Sequence, residues 1–360
     1  MNLLTRPPKK VLIINIFGIG DVLFTTPLIS NLKLALPDLQ IGYLCNRRTV
    51  EALENNRKIN RIFVYERDAF NAVYQKSRPA FVKKMLAFWY DIRKERYDAV
   101  IDVSLSSFTS FFTWVIGIPR RIGYDFKGRS FYLNKKFPMD GYENKHVVEY
   151  YLRLLEDVGI PVKVKSLELA VSSKDQTWAA AFLKNHGVGF QKKLIGLVPG
   201  GGASWGKDAV YKRWSAENYA KLADKIVEKF ASDIILLGDT EEMELCRRVG
   251  ELMHSHPTVA CGETTLGQFA ALTAKCHAVI LNDGGPLHIA AAAGAKTVSI
   301  FGPVDDRVYG PYPLSGHKVV KKDLPCRPCY RGFRRASCEH ISCLHRITVD
   351  DVLKEVEKIL

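Results

Sequence analysis

At 360 residues the chain is long enough for two domains of ordinary size, and its 47% hydrophobic and 25% charged residues exclude a disordered or fibrous protein. No apolar run reaches the roughly 18 to 20 residues of a bilayer span, because Asp21, Pro119 and Asn282 interrupt the longest. A formal net charge of +14 and a pI near 9.3 favour an anionic partner: nucleic acid, an anionic membrane face or a phosphorylated substrate.

Lys9-Lys10 before the apolar run from Val11 to Phe17 superficially resembles a signal peptide. No cleavage site follows and Asp21 comes directly after, so the run reads as a first strand, Lys10 to Ile16, buried on both faces of a parallel sheet. The turn Gly18-Ile19-Gly20-Asp21 then leads into a helix carrying Leu28, Ile29, Leu32 and Leu36. A dinucleotide fingerprint would need a small residue at position 23, where Leu23 stands, and a carboxylate at a helix start would repel a pyrophosphate. Asp21 therefore reads as a base presented to a ligand or as a cap of its own helix. Strands are expected at Gln40 to Leu44, Arg61 to Val64 and Ala99 to Val103, with an amphipathic helix from Phe81 to Glu95. Alternating strands and helices mean a doubly wound α/β sheet.

Between Pro119 and Lys136 the chain carries Arg120, Arg121, Lys127, Arg129, Lys135 and Lys136, interleaved with Tyr124, Phe126 and Tyr132. This reads as a basic, aromatic loop suited to an anionic ligand, or as a solvated surface. A helix from His146 to Val158 ends at Gly159-Ile160-Pro161, and Val164 to Ser173 reads as a linker strand and domain boundary.

The second half repeats the pattern. Helices are expected at Trp178 to His186, Ala216 to Lys229, Glu241 to Leu252 and Leu266 to Ala274. Strands are expected at Leu194 to Val198, Ile234 to Leu237, Ala278 to Leu281 and Thr297 to Phe301. Pro199-Gly200-Gly201-Gly202 is a glycine-rich turn. Asn282-Asp283-Gly284-Gly285 joins an apolar strand to an alanine-rich helix that stops at Gly294. Such a turn lets backbone N–H groups and the helix dipole meet a phosphate, with His288 one turn in, or it caps its own helix.

Cys45, Cys246, Cys261 and Cys276 lie in apolar surroundings and read as reduced core residues of a cytosolic protein. Cys326-Arg-Pro-Cys329, Cys338 and Cys343 are clustered, and their spacing is compatible with a structural zinc or iron site, with free thiols or with disulfides. The final helix, Val349 to Leu360, is expected at the C-terminus, where it could pack back on the first domain.

The ordered set Gly18-Ile-Gly-Asp21-Val-Leu-Phe-Thr-Thr-Pro27, Pro199-Gly-Gly, Lys212-Arg-Trp214, Asn282-Asp-Gly-Gly-Pro-Leu-His288 and Phe301-Gly-Pro303 resembles the ADP-heptose lipopolysaccharide heptosyltransferases, glycosyltransferase family 9. The resemblance implies the GT-B fold: an acceptor-binding Rossmann-like domain over residues 1–170, a nucleotide-sugar-binding one over 171–360, and a cleft between them. It makes Asp21 the general base of an inverting displacement and Lys212 the cation that stabilises the departing diphosphate. On the donor it places Gly200, Gly201, Lys212, Glu242 (or its neighbour Glu241), Asp283, Gly284, Gly285 and His288. Gly20, with Arg120, Arg121, Lys127 and Arg129 of the basic stretch, is expected on the acceptor.

No two aspartates stand in Asp-x-Asp spacing, so transfer is expected without a metal cofactor. The expected partners are ADP-heptose and an anionic, lipid-linked saccharide of the lipopolysaccharide core, reached by a cytoplasmic protein at the inner membrane face, with no nucleic acid. A family member acting on a protein or another polysaccharide, and a non-catalytic nucleotide-sugar binder, are the alternatives. Gly284 departs from the family's usual Ser or Thr, which would weaken phosphate binding or leave it to the backbone.

Overall fold

Runs of Val, Ile and Leu become the central strands of two parallel sheets, one in each half of the chain. The structure, a computed structural model, describes residues 2–189 and 191–360. It divides into two units, one of Met1–Tyr142 and Val147–Lys165, the other of Glu143–His146 and Ser166–Leu360.

In the first unit the strands are β1 (Lys10–Ile14), β2 (Gln40–Cys45), β3 (Arg61–Val64), β4 (Ala99–Asp102), β5 (Arg120–Phe126) and β6 (Lys135–Met139), in the order β3-β2-β1-β4-β5-β6. All pairings are parallel, with Val11 beside Ala99 and Ala99 beside Arg120 at one end, and Ile14 beside Leu44 and Asp102 at the other. The helices are α1 (Ile19–Leu23), α2 (Thr26–Ala35), α3 (Arg67–Lys76), α4 (Arg78–Lys94), α5 (Ser107–Val115) and α6 (Val147–Glu156). Leu12 and Ile14 meet Phe70, Met85, Trp89 and Ile92 of α3 and α4, with Phe108 and Phe112 of α5 beside them. Val11 and Ile13 alternate with these and are equally buried, so both sheet faces are covered.

The second unit holds β7 (Leu194–Val198), β8 (Asp233–Leu236), β9 (Thr258–Val259), β10 (Ala278–Asn282), β11 (Thr297–Ile300) and β12 (Lys318–Val320), in the order β12-β11-β10-β7-β8-β9. Counted from β7 this is the order of the first sheet, read from the other edge. Its helices are α7 (Ser173–Asn185), α8 (Ala216–Phe230), α9 (Met243–Leu252), α10 (Leu266–Lys275), α11 (Gly285–Ala292), α12 (Asp306–Tyr309), α13 (Ser342–His345) and α14 (Val349–Glu357), with a small hairpin, β13 (Tyr330–Arg331) and β14 (Arg334–Arg335), before α13. In each sheet the strand order reverses between two central strands, β1 and β4 or β7 and β10. Ligands of such sheets bind beyond the carboxyl ends at that point.

Three expectations need correction. Residues 119–136 are not one loop: β5 and β6 run through them, hidden in the sequence because only Ile122, Gly123 and Tyr124 of β5 are buried. Val164 to Ser173 forms no strand, and α7 begins at Ser173. The final helix belongs to the second core, where Val352 and Val356 pack with Trp214, Tyr219 and Ile300, so its apolar face is already covered within that unit. Thr348 caps it, accepting from Asp351 N–H while Asp351 accepts from Thr348 N–H. No helix among the described residues is long and apolar enough to cross a membrane.

Candidate active site

In the first unit, Asn15 organises the turn that leaves β1. Its Oδ1 accepts from Phe17 N–H at 3.1 Å and its Nδ2 donates to the Asp21 carbonyl at 2.9 Å, while Asn46 Nδ2 donates to Ile16 O at 3.1 Å. Gly20 and Asp21 sit half-buried in the short α1. One Asp21 carboxylate oxygen accepts from Gly18 N–H at 3.3 Å, so the carboxylate does cap its own helix start. Partial exposure still leaves it able to meet a ligand hydroxyl. Three buried phenols of the unit feel its charge: burial above all pushes Tyr43, Tyr142 and Tyr151 well above the ordinary tyrosine range, and the Asp21 carboxylate adds to the rise in each. They stay protonated beside the acid. Beyond β4, the buried Asp102 accepts from Ser104 N–H at 2.9 Å, Ser104 Oγ at 2.6 Å and Thr109 Oγ1 at 2.7 Å, fixing the entry to α5.

The basic residues separate by position. Arg120 and Arg121 start β5, at the amino ends of the strands and away from the Asp21 turn. Their guanidiniums hold backbone: Arg120 donates to Asp98 O and Arg6 O at 3.1 and 2.6 Å, Arg121 to Tyr132 O and Ile118 O at 2.6 and 2.5 Å. The two arginines expected on the acceptor thus lie at the opposite end of the strands from Asp21, a placement that composition cannot give because it does not say at which end of a strand a cation falls. Lys127 and Arg129 follow the carboxyl end of β5, exposed and at the same end of the sheet as Asp21.

In the second unit one side chain ties the site together. Asn282, at the end of β10, accepts from Trp214 N–H at 3.1 Å and donates to Pro199 O and Gly200 O at 2.8 and 2.6 Å. It joins the glycine-rich turn, the Lys212-Arg213-Trp214 segment and the β10 turn, and Trp214 is locked further by its indole N–H on Ile347 O at 3.0 Å. The sequence motif contains Asn282 but gives it no role of its own, although a buried amide ending an apolar strand is itself a signal.

Glu242 is a second such residue, with a different role from the one expected. It is 2% exposed, and it accepts from Gly201 N–H and Gly202 N–H at 2.8 and 2.9 Å and from Asp239 N–H at 3.2 Å. These amides thus face Glu242, and a Cβ at Gly200 would collide with its carboxylate. The glycines of this turn are needed to wrap a buried acid. Glu241 is exposed, and its N–H donates to the capping Asp239 carboxylate at 3.0 Å. A Cβ at Gly284 would likewise collide with the Gly201 carbonyl oxygen. The two turns touch backbone to backbone, which is why no Ser or Thr stands at position 284.

Lys212 and Asp283 form a buried ion pair, 2.8 Å apart with side chains 9% and 4% exposed. The ammonium also lies 4.3 Å from the centre of the Trp205 ring. Asp283 N–H donates to Ile300 O at 3.1 Å, so that amide is already engaged. The Gly285 N–H, in the first turn of α11, precedes any intrahelical acceptor and remains suited to an anion. His288 is buried on α11, and burial, with His146 and Lys212 nearby, pushes its pKa well below the usual imidazole value. It is a neutral imidazole at physiological pH.

The four clustered cysteines flank the β13–β14 hairpin. Cys343 is pushed up to about 11, first by burial and then by the neighbouring thiols. Among the described residues no group of three or more His, Cys, Asp or Glu side chains is arranged to hold a metal ion, and of the three alternatives for the cluster this geometry has the four as free thiols. The hairpin has a structural effect: Tyr330 packs 5.0 Å from the Trp205 ring, which also carries the Lys212 ammonium.

Residues 85–339 match the model of glycosyltransferase family 9 (heptosyltransferase). Lipooligosaccharide heptosyltransferase 2 of Campylobacter jejuni is 30% identical over 62% of this chain and 67% of its own length. The solved structure of a family 9 glycosyl transferase from Veillonella parvula superposes with a TM-score of 0.80 at 24% identity, over 98% of this chain and 97% of that one. Escherichia coli heptosyltransferase WaaC with ADP gives 0.73 at 19% identity, over 98% and 100% of the two chains. With two Rossmann-like sheets of equal order, the architecture is GT-B.

Proposed function

Because the chain belongs to glycosyltransferase family 9, the heptosyltransferases, we propose that this glycosyltransferase moves a heptose from ADP-heptose to an anionic, lipid-linked acceptor of the lipopolysaccharide core, with inversion at the anomeric carbon. The observation that carries the donor half is Lys212, a cation buried at the strand-order reversal of the second sheet beside the Asn282–Gly285 turn. A diphosphate there would take the ammonium from Asp283 and accept from the Gly285 N–H, with neutral His288 as a further donor. The ADP held by the WaaC neighbour supports the nucleotide.

In the reaction the acceptor hydroxyl oxygen bonds to the anomeric carbon as its proton passes to the Asp21 carboxylate. The bond from that carbon to the phosphate oxygen breaks, and its electron pair leaves with ADP beside Lys212. Lys127 and Arg129 supply positive charge for the acceptor's anionic groups. No metal cofactor is assigned to transfer, and the protein works on the cytoplasmic side, at the membrane surface where a lipid-linked acceptor lies. Asp21→Asn tests the base: turnover should fall on the order of a hundredfold with the ADP dissociation constant nearly unchanged. Retained turnover removes Asp21 from the chemistry. A β-linked product from a β-configured donor, read by NMR, would overturn inversion.

A further inference from the structure

The helical layer α3, α4 and α5 buries one side against the first sheet and leaves apolar residues on its outer side. On α4, Met85, Trp89 and Ile92 face the core, whereas Val82, Leu86 and Tyr90 are 52%, 61% and 58% exposed. These three stand four residues apart and form one stripe along the helix. In the same layer Tyr74 of α3 and Trp114 and Val115 of α5 are about half exposed.

The charge around this stripe is predominantly positive. Residues 67–94 hold seven Lys or Arg against two acids, Asp68 and Asp91. Asp91 is engaged by Arg61 at 2.8 Å. Helical spacing puts Lys83, Arg93 and Lys94 beside the stripe, and the Lys94 ammonium lies 4.8 Å from the centre of the Tyr90 ring. Aliphatic side chains with a Tyr, rimmed by unopposed cations, are the pattern of a helix lying in a bilayer interface: apolar groups enter the headgroup boundary, Tyr sits at its level and cations meet lipid phosphates.

We infer that the outer face of α4, with its neighbours in that layer, docks the protein on an anionic lipid bilayer. The docking deepens the proposed lipid-linked acceptor and rests on that reading only for its purpose. Acceptor-free vesicles test it separately. The full chain should co-sediment with phosphatidylcholine–phosphatidylglycerol vesicles at low salt, bind phosphatidylcholine alone weakly, and be released by high salt. Leu86→Asp should lower the partition coefficient about tenfold or more. Lys83→Glu/Lys94→Glu should lower it by roughly fivefold per charge or more. Both variants change exposed residues and should keep the wild-type thermal midpoint. Absence of binding, or binding unchanged in both variants, overturns the docking even if transfer to a soluble acceptor fragment persists. A concentration-dependent dimer in light scattering that Leu86→Asp dissolves, with no vesicle binding, overturns it as well and gives the stripe to a second copy. Vesicle binding without transfer would leave the docking intact and remove the acceptor reading.

Discussion

Replacing Lys212 by Met tests the donor site through stability and binding at once. The ammonium and the Asp283 carboxylate are 2.8 Å apart with almost no solvent contact, so the substitution leaves a buried carboxylate without its cation. Losing one partner of such a pair costs about 3–5 kcal/mol, whereas a methionine of similar length still covers the Trp205 ring. Urea unfolding should show that loss. Lys212→Met/Asp283→Asn should recover most of it, since no uncompensated charge remains, and the cycle should give a coupling energy of about 2 kcal/mol or more. Calorimetric titration with ADP separates the functional part. Binding should weaken in both Lys212 variants, because the phosphates have lost the cation, and should hold or tighten in Asp283→Asn alone, where the ammonium is no longer claimed by a carboxylate. A Lys212→Met protein as stable as wild type, or ADP binding restored in the double variant, would refute the reasoning.

Asn282→Ala removes three buried hydrogen bonds and should cost about 3–4 kcal/mol in urea unfolding, at about 1 kcal/mol or more for each group left unpaired, with a weakened ADP affinity. Arg120→Ala and Arg121→Ala should each lower stability by about 1–3 kcal/mol and leave the acceptor Michaelis constant unchanged, while Lys127→Glu/Arg129→Glu should raise that constant more steeply at low salt; the reverse pattern in steady-state assays would return the acceptor to Arg120 and Arg121. His288 has a depressed pKa in the fold, so below the ordinary imidazole value of 6.5 the unfolded chain binds a proton that the native chain refuses. Its contribution to stability is present above that pH and declines as pH falls toward the folded pKa. His288→Gln should therefore flatten the fall in thermal midpoint between about pH 6.5 and 5; an unchanged slope would mean that the imidazole is not held neutral.

The central strands were legible because strands buried on both faces must be continuous apolar runs, and β1, β4, β7 and β10 are such runs. Their turns could be read for the same reason, since glycine and a polar residue directly after an apolar strand mark the carboxyl end of the sheet. β5 was hidden by Arg120 and Arg121 at its start, and β6 by Lys135 and Lys136. β6 is an edge strand and β5 lies next to it, and strands at that side of a sheet have fewer buried positions to give them away. The contacts of Asn282 reach 68 to 83 residues back along the chain, and those of Glu242 about 40, so local pattern offered no route to them. It also could not tell whether a glycine-rich turn cradles a ligand or a protein carboxylate. Both leave the same sequence trace, a loss of Cβ where something must come close.

That ambiguity bears on how the proposed donor site is built. Glu242 holds the first glycine turn from below, and Asn282 fastens it to the second turn and to the lysine segment. Gly284 lets the two turns meet. Each is a contact within the protein, complete before any ligand arrives. The groups proposed to meet a diphosphate are few and fixed: the ammonium of Lys212, the Gly285 amide with the positive end of α11, and the His288 imidazole. A cation held by Asp283 and Trp205 loses little side-chain freedom when phosphate replaces the carboxylate, so reorganisation is small at the moment charge develops on the leaving group. Preorganisation of this kind has a counterpart in affinity. Asp283 competes for the same ammonium, so the site should hold ADP less tightly than an unopposed lysine would, and product release becomes easier by the same interaction that kept the lysine in place.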